Sequence, residues 1–320
     1  MRLVFMGTPD FASYQLECLI NAGHEIMAVV TQADKAKGRS KALLPPPVKE
    51  VALREGIKVY QPERLRDSEV VEELKKLAPE AIIVAAYGQI LPKEVLDIPK
   101  YGCINIHASL LPKYRGAAPI QQAVIDGLTV TGVTTMYMGE GLDTGDIIDQ
   151  TTVKIAEDET GGSLFDKLSK AGGKLIITTL DKILNGTSVR TPQNEADSSY
   201  ARMLKKEDGF IDFTKSAVSI ERLIRGLNPW PSAYTLLEGK NLKIWCAKVI
   251  EASELPNGTK AGCAGMVVYV DKKSFIVETG QDFLEIKELQ LAGKKRMATD
   301  AFLRGYRLEL GTELGVIAEV

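Results

Sequence analysis

From Arg2 to about Leu180 the chain alternates short apolar runs with segments whose apolar residues recur at helical spacing. That alternation confines this part of the chain to a parallel sheet wrapped by helices. Arg2–Met6 reads as a buried strand, and Asp10–Ala22 as a helix with apolar positions Phe11, Tyr14, Leu16, Leu19 and Ile20. Further strands are expected at His24–Thr31, Lys58–Tyr60, Ala81–Ala86, Cys103–His107 and Val133–Met138, with helices at Val48–Glu55, Val70–Leu77 and Ala118–Gly127. Ala81–Ala86 is apolar throughout, as a central strand covered on both faces should be. A long helix is expected from Ser163, because Ser163 and Asp166 have capping-box spacing ahead of Leu164, Leu168, Leu175, Ile176 and Leu180.

Periodicity stops near Gly186, and 191–199 is rich in Pro, Gln, Asn, Asp and Ser. Beyond it a short helix, Ala217–Leu227, precedes five closely spaced strands at Ala233–Leu237, Leu242–Ile250, Gly265–Val270, Phe275–Glu278 and Phe283–Leu289, and a last helix near Thr299–Leu308. The expected fold is therefore α/β: a Rossmann-like parallel-sheet domain over 1–189, a linker over 190–205, and a small OB-like β-barrel over 206–320. A length of 320 residues gives each domain enough chain for its own core.

Composition excludes several classes. A hydrophobic fraction of 45% with 26% charged residues describes a soluble globular protein. The net charge of −2 offers no global attraction to nucleic acid or anionic lipid, so RNA contact must come from local patches. No stretch reaches the roughly 18 apolar residues of a membrane span, and no signal-like segment is read at the N-terminus. A cytoplasmic location without membrane contact is expected, and a monomer. The four cysteines are scattered without a C-x-x-C pair, so they read as small apolar residues, and neither disulfides nor a metal site is expected.

The chain has two histidines, which shortens the search for an acid or base. His24 sits in a turn and reads as solvated. In Ile104-Asn105-Ile106-His107 the two-residue period puts Asn105 and His107 on one face of a strand and the isoleucines on the other. The strand then leaves through Ser109-Leu110-Leu111-Pro112, at the carboxyl edge where parallel sheets bind ligands. A functional pair and a histidine merely bonded in a core both fit this local pattern. The loop Gly139-Glu140-Gly141-Leu142-Asp143-Thr144-Gly145-Asp146 has three glycines that permit tight turns and close approach. Its acidic spacing is not that of a calcium loop. A carboxylate beside an imidazole orients it and favours its charged form, which makes Asp143 the candidate partner of His107.

The segment from Cys103 through Asn105, His107 and Pro112 to Gly116, together with Gly141-Leu142-Asp143-Thr144-Gly145, resembles the folate-dependent formyltransferases. Met6-Gly-Thr-Pro-Asp-Phe11, Asn228-Pro-Trp-Pro231 and the trailing barrel-like domain are similar to the branch of that family that formylates initiator methionyl-tRNA, over nearly the full length. Ala108 stands where the family pattern leads us to expect Gly or Pro. The resemblance implies that Asn105 and His107 stabilise the formyl oxyanion, that Asp143 moves the proton, and that 10-formyltetrahydrofolate is the donor. It further implies a folate segment at Ser109, Leu110, Leu111 and Pro112, and a pterin wall at Tyr87, Gly88, Gln89, Ile90 and Leu91. The residues alone also allow the wall to be a plain strand exit.

Lys35, Lys37, Arg39 and Lys41 put four cations in one loop, and Pro45-Pro46-Pro47 stiffens its exit. Such a run is either a solvated face or a phosphate contact; the resemblance implies a grip on the acceptor stem, with Arg39 as its key residue. Lys294, Lys295 and Arg296 form a second cluster, in a region from Lys206 onward where sixteen basic residues balance sixteen acidic ones. Rival readings are a sister enzyme formylating a small amine such as glycinamide ribonucleotide or an amino sugar, a nucleotide-dependent oxidoreductase, and a non-catalytic RNA-binding protein. Met-Gly-Thr-Pro-Asp after the first strand lacks the second and third glycines of a dinucleotide fingerprint, and the binding-protein reading leaves the Asn, His, Asp set unexplained. Arg39→Ala is expected to lower the salt slope of tRNA binding by about one, measured by salt titration; an unchanged slope removes Arg39 from the contact.

Overall fold

The computed structural model describes residues 1–36 and 43–316. In chain order it has β1 (Arg2–Gly7), α1 (Asp10–Asn21), β2 (Glu25–Val30), β3 (Lys35–Ala36), β4 (Leu43–Leu44), α2 (Pro47–Arg54), β5 (Val59–Tyr60), α3 (Ser68–Leu77) and β6 (Ala81–Ala85). Then come α4 (Lys93–Leu96), β7 (Cys103–His107), β8 (Arg115–Gly116), α5 (Pro119–Ile125), β9 (Val130–Tyr137), β10 (Ile147–Lys154), α6 (Gly161–Leu184) and β11 (Tyr200–Ala201). The remainder holds α7 (Ala217–Gly226), β12 (Ala233–Leu237), β13 (Lys240–Ile250), β14 (Val267–Val270), β15 (Phe275–Glu278), β16 (Phe283–Leu291), β17 (Met297–Ala298) and α8 (Thr299–Gly305).

Two compact units divide the chain, and each takes its parts from more than one stretch. The first comprises 1–119, 130–154 and 164–202; the second comprises 120–129, 155–163 and 203–320, within the described residues. These bounds differ from the expected split at 189 and 206. Residues 190–202, expected as linker, belong to the first unit, where Tyr200 and Ala201 pair with Arg115 and Gly116.

The first unit is built on a seven-stranded sheet in the order β10-β9-β7-β6-β1-β2-β5. The five strands from β7 to β5 are parallel, whereas β9 runs antiparallel to β7 and β10 antiparallel to β9. The sheet is thus parallel with an antiparallel margin. Leu3, Val4, Phe5 and Met6 of β1 and Ile82 and Ile83 of β6 are fully buried, which accounts for their unbroken apolar runs. β10 escaped the sequence reading because its residues, Ile147-Ile-Asp-Gln-Thr-Thr-Val-Lys154, alternate with partial exposure along a sheet edge and form no apolar run.

α6 covers one face of this sheet. A Cβ on Gly172 would lie 3.2 Å from the Ile106 Cγ2, and one on Gly173 would lie 2.5 Å from the Cys18 Sγ, so two bare backbones let the helix close on β7 and α1. The helix begins two residues before Ser163, and its cap is Thr160, whose Oγ1 accepts from the Ser163 N at 3.1 Å. The Ser163 hydroxyl instead donates to the Glu159 carboxylate, so the expected capping box does not form.

In the second unit an antiparallel sheet runs β12-β13-β16-β15-β14, with β17 on β16. Ile220 and Ile224 of α7, Leu242, Ile244, Phe275, Leu284 and Ile286 of the strands, and Phe302 of α8 make its core. Cys103 is buried, and burial pushes its thiol up to about 12. Cys246 and Cys263 are exposed, contrary to the expectation that all four cysteines fill apolar space. Among the described residues, no helix is long and apolar enough to cross a membrane. Phe275 is 1% exposed. Its replacement, Phe275→Ala, is expected to cost about 3–5 kcal/mol, measured by urea unfolding of the full chain.

Candidate active site

β7 is buried along all five residues, between β6 on one side and β9 on the other. Ile106 packs toward α6, and the two-residue period therefore directs Asn105 and His107 to the opposite face. Both are polar and nearly enclosed, at 8% and 6% exposure, so each needs partners. The His107 Nε2–H donates to the Tyr114 carbonyl at 2.9 Å, which places a proton on Nε2. Nδ1 then faces the Asp143 Oδ2 at 3.6 Å.

Asp143 comes from the loop between β9 and β10. Because β9 is antiparallel to β7, this loop starts beside Ile104 and folds back along the face that bears Asn105 and His107. Asp143 takes a left-handed conformation, φ 52°, that Asp tolerates better than most residues. Gly145 makes the turn possible, because a Cβ there would sit 1.7 Å from the Tyr137 carbonyl oxygen. The Asp143 carboxylate accepts from the Gly116 N at 2.8 Å through Oδ2 and from the Asn105 Nδ2 at 3.3 Å through Oδ1. The three expected residues are thus brought together by two long contacts, while the short bond from the Gly116 N anchors the carboxylate.

The segment after β7 supplies the support. Tyr114, at φ 60°, presents its carbonyl to His107 while its N donates to the Ser199 Oγ at 2.9 Å. Arg115 is 1% exposed, and its guanidinium bonds Gln193 and Glu195, with NH1 2.8 Å from the Glu195 Oε2. Arg115 beside Glu195 holds that carboxyl below its ordinary range. Sequence reasoning missed Gln193 and Glu195, because they lie in a polar stretch without periodicity. The available signal was Arg115 itself, a charge next to a buried strand that required an anion.

Two family profiles match the chain: Formyl transferase over residues 1–180 and Formyl transferase, C-terminal domain, over residues 203–307. The chain belongs to the formyl transferase family. It is 56% identical to a methionyl-tRNA formyltransferase of Agathobacter rectalis, over 98% of this chain and 99% of that one. It is 50% identical to a methionyl-tRNA formyltransferase of Bacillus subtilis, over 98% of each chain. A crystal structure of an N-formyltransferase from Helicobacter canadensis, in complex with folinic acid and dTDP-3-aminofucose, has a similar fold, with TM-score 0.65 at 21% identity over 92% of this chain and 99% of that one.

The remaining expected residues of this formyltransferase divide. Ser109 is fully buried and its hydroxyl donates to the Lys113 carbonyl at 2.6 Å. Its own carbonyl accepts from the Thr134 Oγ1, which in turn accepts from the Leu111 N, and the Leu111 carbonyl accepts from Gln150. Ser109 and buried Leu111 are therefore committed internally, and only Leu110 and Pro112 of that segment keep partial exposure. Tyr87 and Leu91 likewise belong to the core with Leu65, Val71 and Val95, and burial pushes the Tyr87 hydroxyl up to about 12. Gln89 accepts from the Leu65 N at 3.0 Å. Gly88, with a positive φ, and Ile90, 84% exposed, are the accessible part of the expected wall.

Lys35 is exposed at the start of β3, which pairs with β4; Lys37, Arg39 and Lys41 lie outside the described residues. Lys294 and Lys295 are exposed, whereas Arg296 is paired with Glu288 and stacked 4.7 Å over the Trp245 ring. His24, expected as solvated, is half-buried with its Nδ1 3.4 Å from the Met1 amino group, and burial lowers its pKa. Gly145→Ala is expected to leave the chain folded while displacing Asp143. Such a misplacement costs formyl transfer about a hundredfold, measured as turnover beside a circular-dichroism melt.

Proposed function

We propose that this chain, as a cytoplasmic monomer, transfers a formyl group from 10-formyltetrahydrofolate to the amino group of methionine on initiator methionyl-tRNA. The observation that carries the reading is the meeting of Asn105, His107 and Asp143 on one face of β7, in a chain that shares about half of its residues with methionyl-tRNA formyltransferases. As the amine nitrogen bonds to the formyl carbon, negative charge gathers on the formyl oxygen. The Asn105 Nδ2–H and the His107 Nδ1–H are the donors suited to receive it.

The Asn105–Asp143 bond, 3.3 Å, and the His107–Asp143 contact, 3.6 Å, are longer than the roughly 2.7–2.9 Å of a strong charge-assisted bond. Both donors can therefore turn toward an incoming oxygen at little cost. Nε2 of His107 is occupied by the Tyr114 carbonyl, which leaves Nδ1 as the nitrogen that works. Asp143, anchored by the Gly116 N, takes the proton shed by the amine and passes it to the departing folate nitrogen, directly or through water. The formyl carbon–folate nitrogen bond breaks, the new amide bond remains, and the carboxylate is regenerated.

The donor is assigned to the loop after β6. Among the described residues, Gly88, Gln89 and Ile90 make no backbone–backbone hydrogen bond and keep exposure, so their amides and carbonyls are available to a pterin, with Ile90 against its ring. For the acceptor, Lys35, Lys37, Arg39 and Lys41 provide phosphate contacts to the tRNA stem, with Lys294 and Lys295 as a secondary patch.

Asn105→Ala is expected to lose about a hundredfold or more in turnover with an unchanged melting temperature; a near-normal rate would remove Asn105 from the mechanism. The acceptor is decided by supplying 10-formyltetrahydrofolate with initiator methionyl-tRNA, glycinamide ribonucleotide or no acceptor. Formylation of the tRNA is expected. Transfer to the small amine alone, or hydrolysis without transfer, overturns the assignment.

A further inference from the structure

The carboxamide of Gln193 spends its hydrogen-bonding capacity on the Asp143–Gly145 turn and on Arg115. Its Nε2 donates to the Asp143 carbonyl and the Gly145 carbonyl, each at 2.8 Å. Its Oε1 accepts from the Arg115 Nε at 3.1 Å and from the Arg115 NH2 at 2.9 Å. A primary amide has two hydrogens and two lone pairs, and all four are engaged. The same stretch of chain that ends in Arg115 and Gly116 also supplies the backbone N that holds the Asp143 carboxylate. Gln193 therefore grips the backbone of the residue whose side chain Gly116 holds, and ties both grips to one buried guanidinium.

We propose that Gln193 is a positioning residue for formyl transfer: it clamps the left-handed Asp143 turn to Arg115 and so sets the distance of the Asp143 carboxylate from Asn105 and His107. This rests on the assignment of Asp143 to the mechanism. The geometry explains why an amide stands here. A carboxylate would set an oxygen against two carbonyls, a lysine would have nothing with which to accept from Arg115, and a hydrocarbon would leave both carbonyls and the guanidinium short of partners. Arg115 adds rigidity, because Glu195 neutralises it while remaining largely exposed itself.

The test is a double-mutant cycle on the full chain, using 10-formyltetrahydrofolate and initiator methionyl-tRNA. Gln193→Met keeps the length of the side chain and removes its hydrogen bonds; it is expected to lower kcat by about ten- to a hundredfold, with KM for both substrates within about twofold because no binding contact is removed. Asp143→Asn is expected to be severely impaired, and adding Gln193→Met to it should cost little more, because both changes act through the same carboxylate. Asn194→Ala is the control: Asn194 bonds Ala196 and Asp197 in the same segment without touching the loop, and turnover should be unchanged. Should the methionine variant melt early, Gln193→Glu keeps the Arg115 contact and removes the donor, with the same kcat loss expected.

A folded Gln193 variant with normal kcat, or one whose loss multiplies in full with that of Asp143→Asn, overturns the clamp. A near-normal rate in Asp143→Asn alone overturns the mechanism on which the clamp rests, so the two failures are distinguishable.

Discussion

Two polar side chains lie in a strand that the sheet buries on every residue, and most of the site follows from satisfying them. Leaving one buried donor or acceptor without a partner costs about 1–3 kcal/mol, so Asn105 and His107 are stable on β7 only if other segments come to meet them. Asp143 meets Asn105 through a loop that must bend back from the end of β9, and the Tyr114 carbonyl meets His107. Both of these residues sit in left-handed conformations that their neighbours must hold in place. The holding is done by Gly116, Ser199, Arg115 and Gln193, so a strand of five residues organises contacts that extend to residue 199.

The same constraint prepares the chemistry. A fully satisfied imidazole would have no nitrogen left for a substrate, yet His107 uses a strong bond on Nε2 and a long contact on Nδ1. Asn105 is likewise bonded at the long end of the range. In the proposed mechanism the short structural bond lies away from the reaction, and the long contacts lie where oxyanion charge would develop. Orientation is thus established before substrate arrives, which is the condition for electrostatic stabilisation to be effective.

The face of β7 was legible in the sequence because strand geometry forces alternate residues to opposite sides and the pattern Ile, Asn, Ile, His leaves one arrangement. The glycines at 141 and 145 marked a tight loop, and one of them is required by the Tyr137 carbonyl. The direction of β9, the existence of β10 and the packing of 190–202 were not legible. An apolar run has the same period whether it runs parallel or antiparallel, an edge strand needs no apolar run, and a polar segment has no period to read. The burial of Tyr87 and Leu91 was not legible for a related reason: an apolar side chain has the same pattern in the sequence whether it faces a ligand or the core.

By itself, then, the sequence determined the layered α/β character, the antiparallel second unit and the polar face carrying Asn105 and His107, because these depend on local period and side-chain type. Only the tertiary structure decided which carboxylate meets that face, which imidazole nitrogen is free, and that Arg115 and Gln193 tie the two sides of the site together. Asp143 lies 38 residues from Asn105, and Gln193 lies 78 residues from Arg115. Burial enforces these relations, because a polar group shut away from water must find its partner wherever along the chain that partner lies.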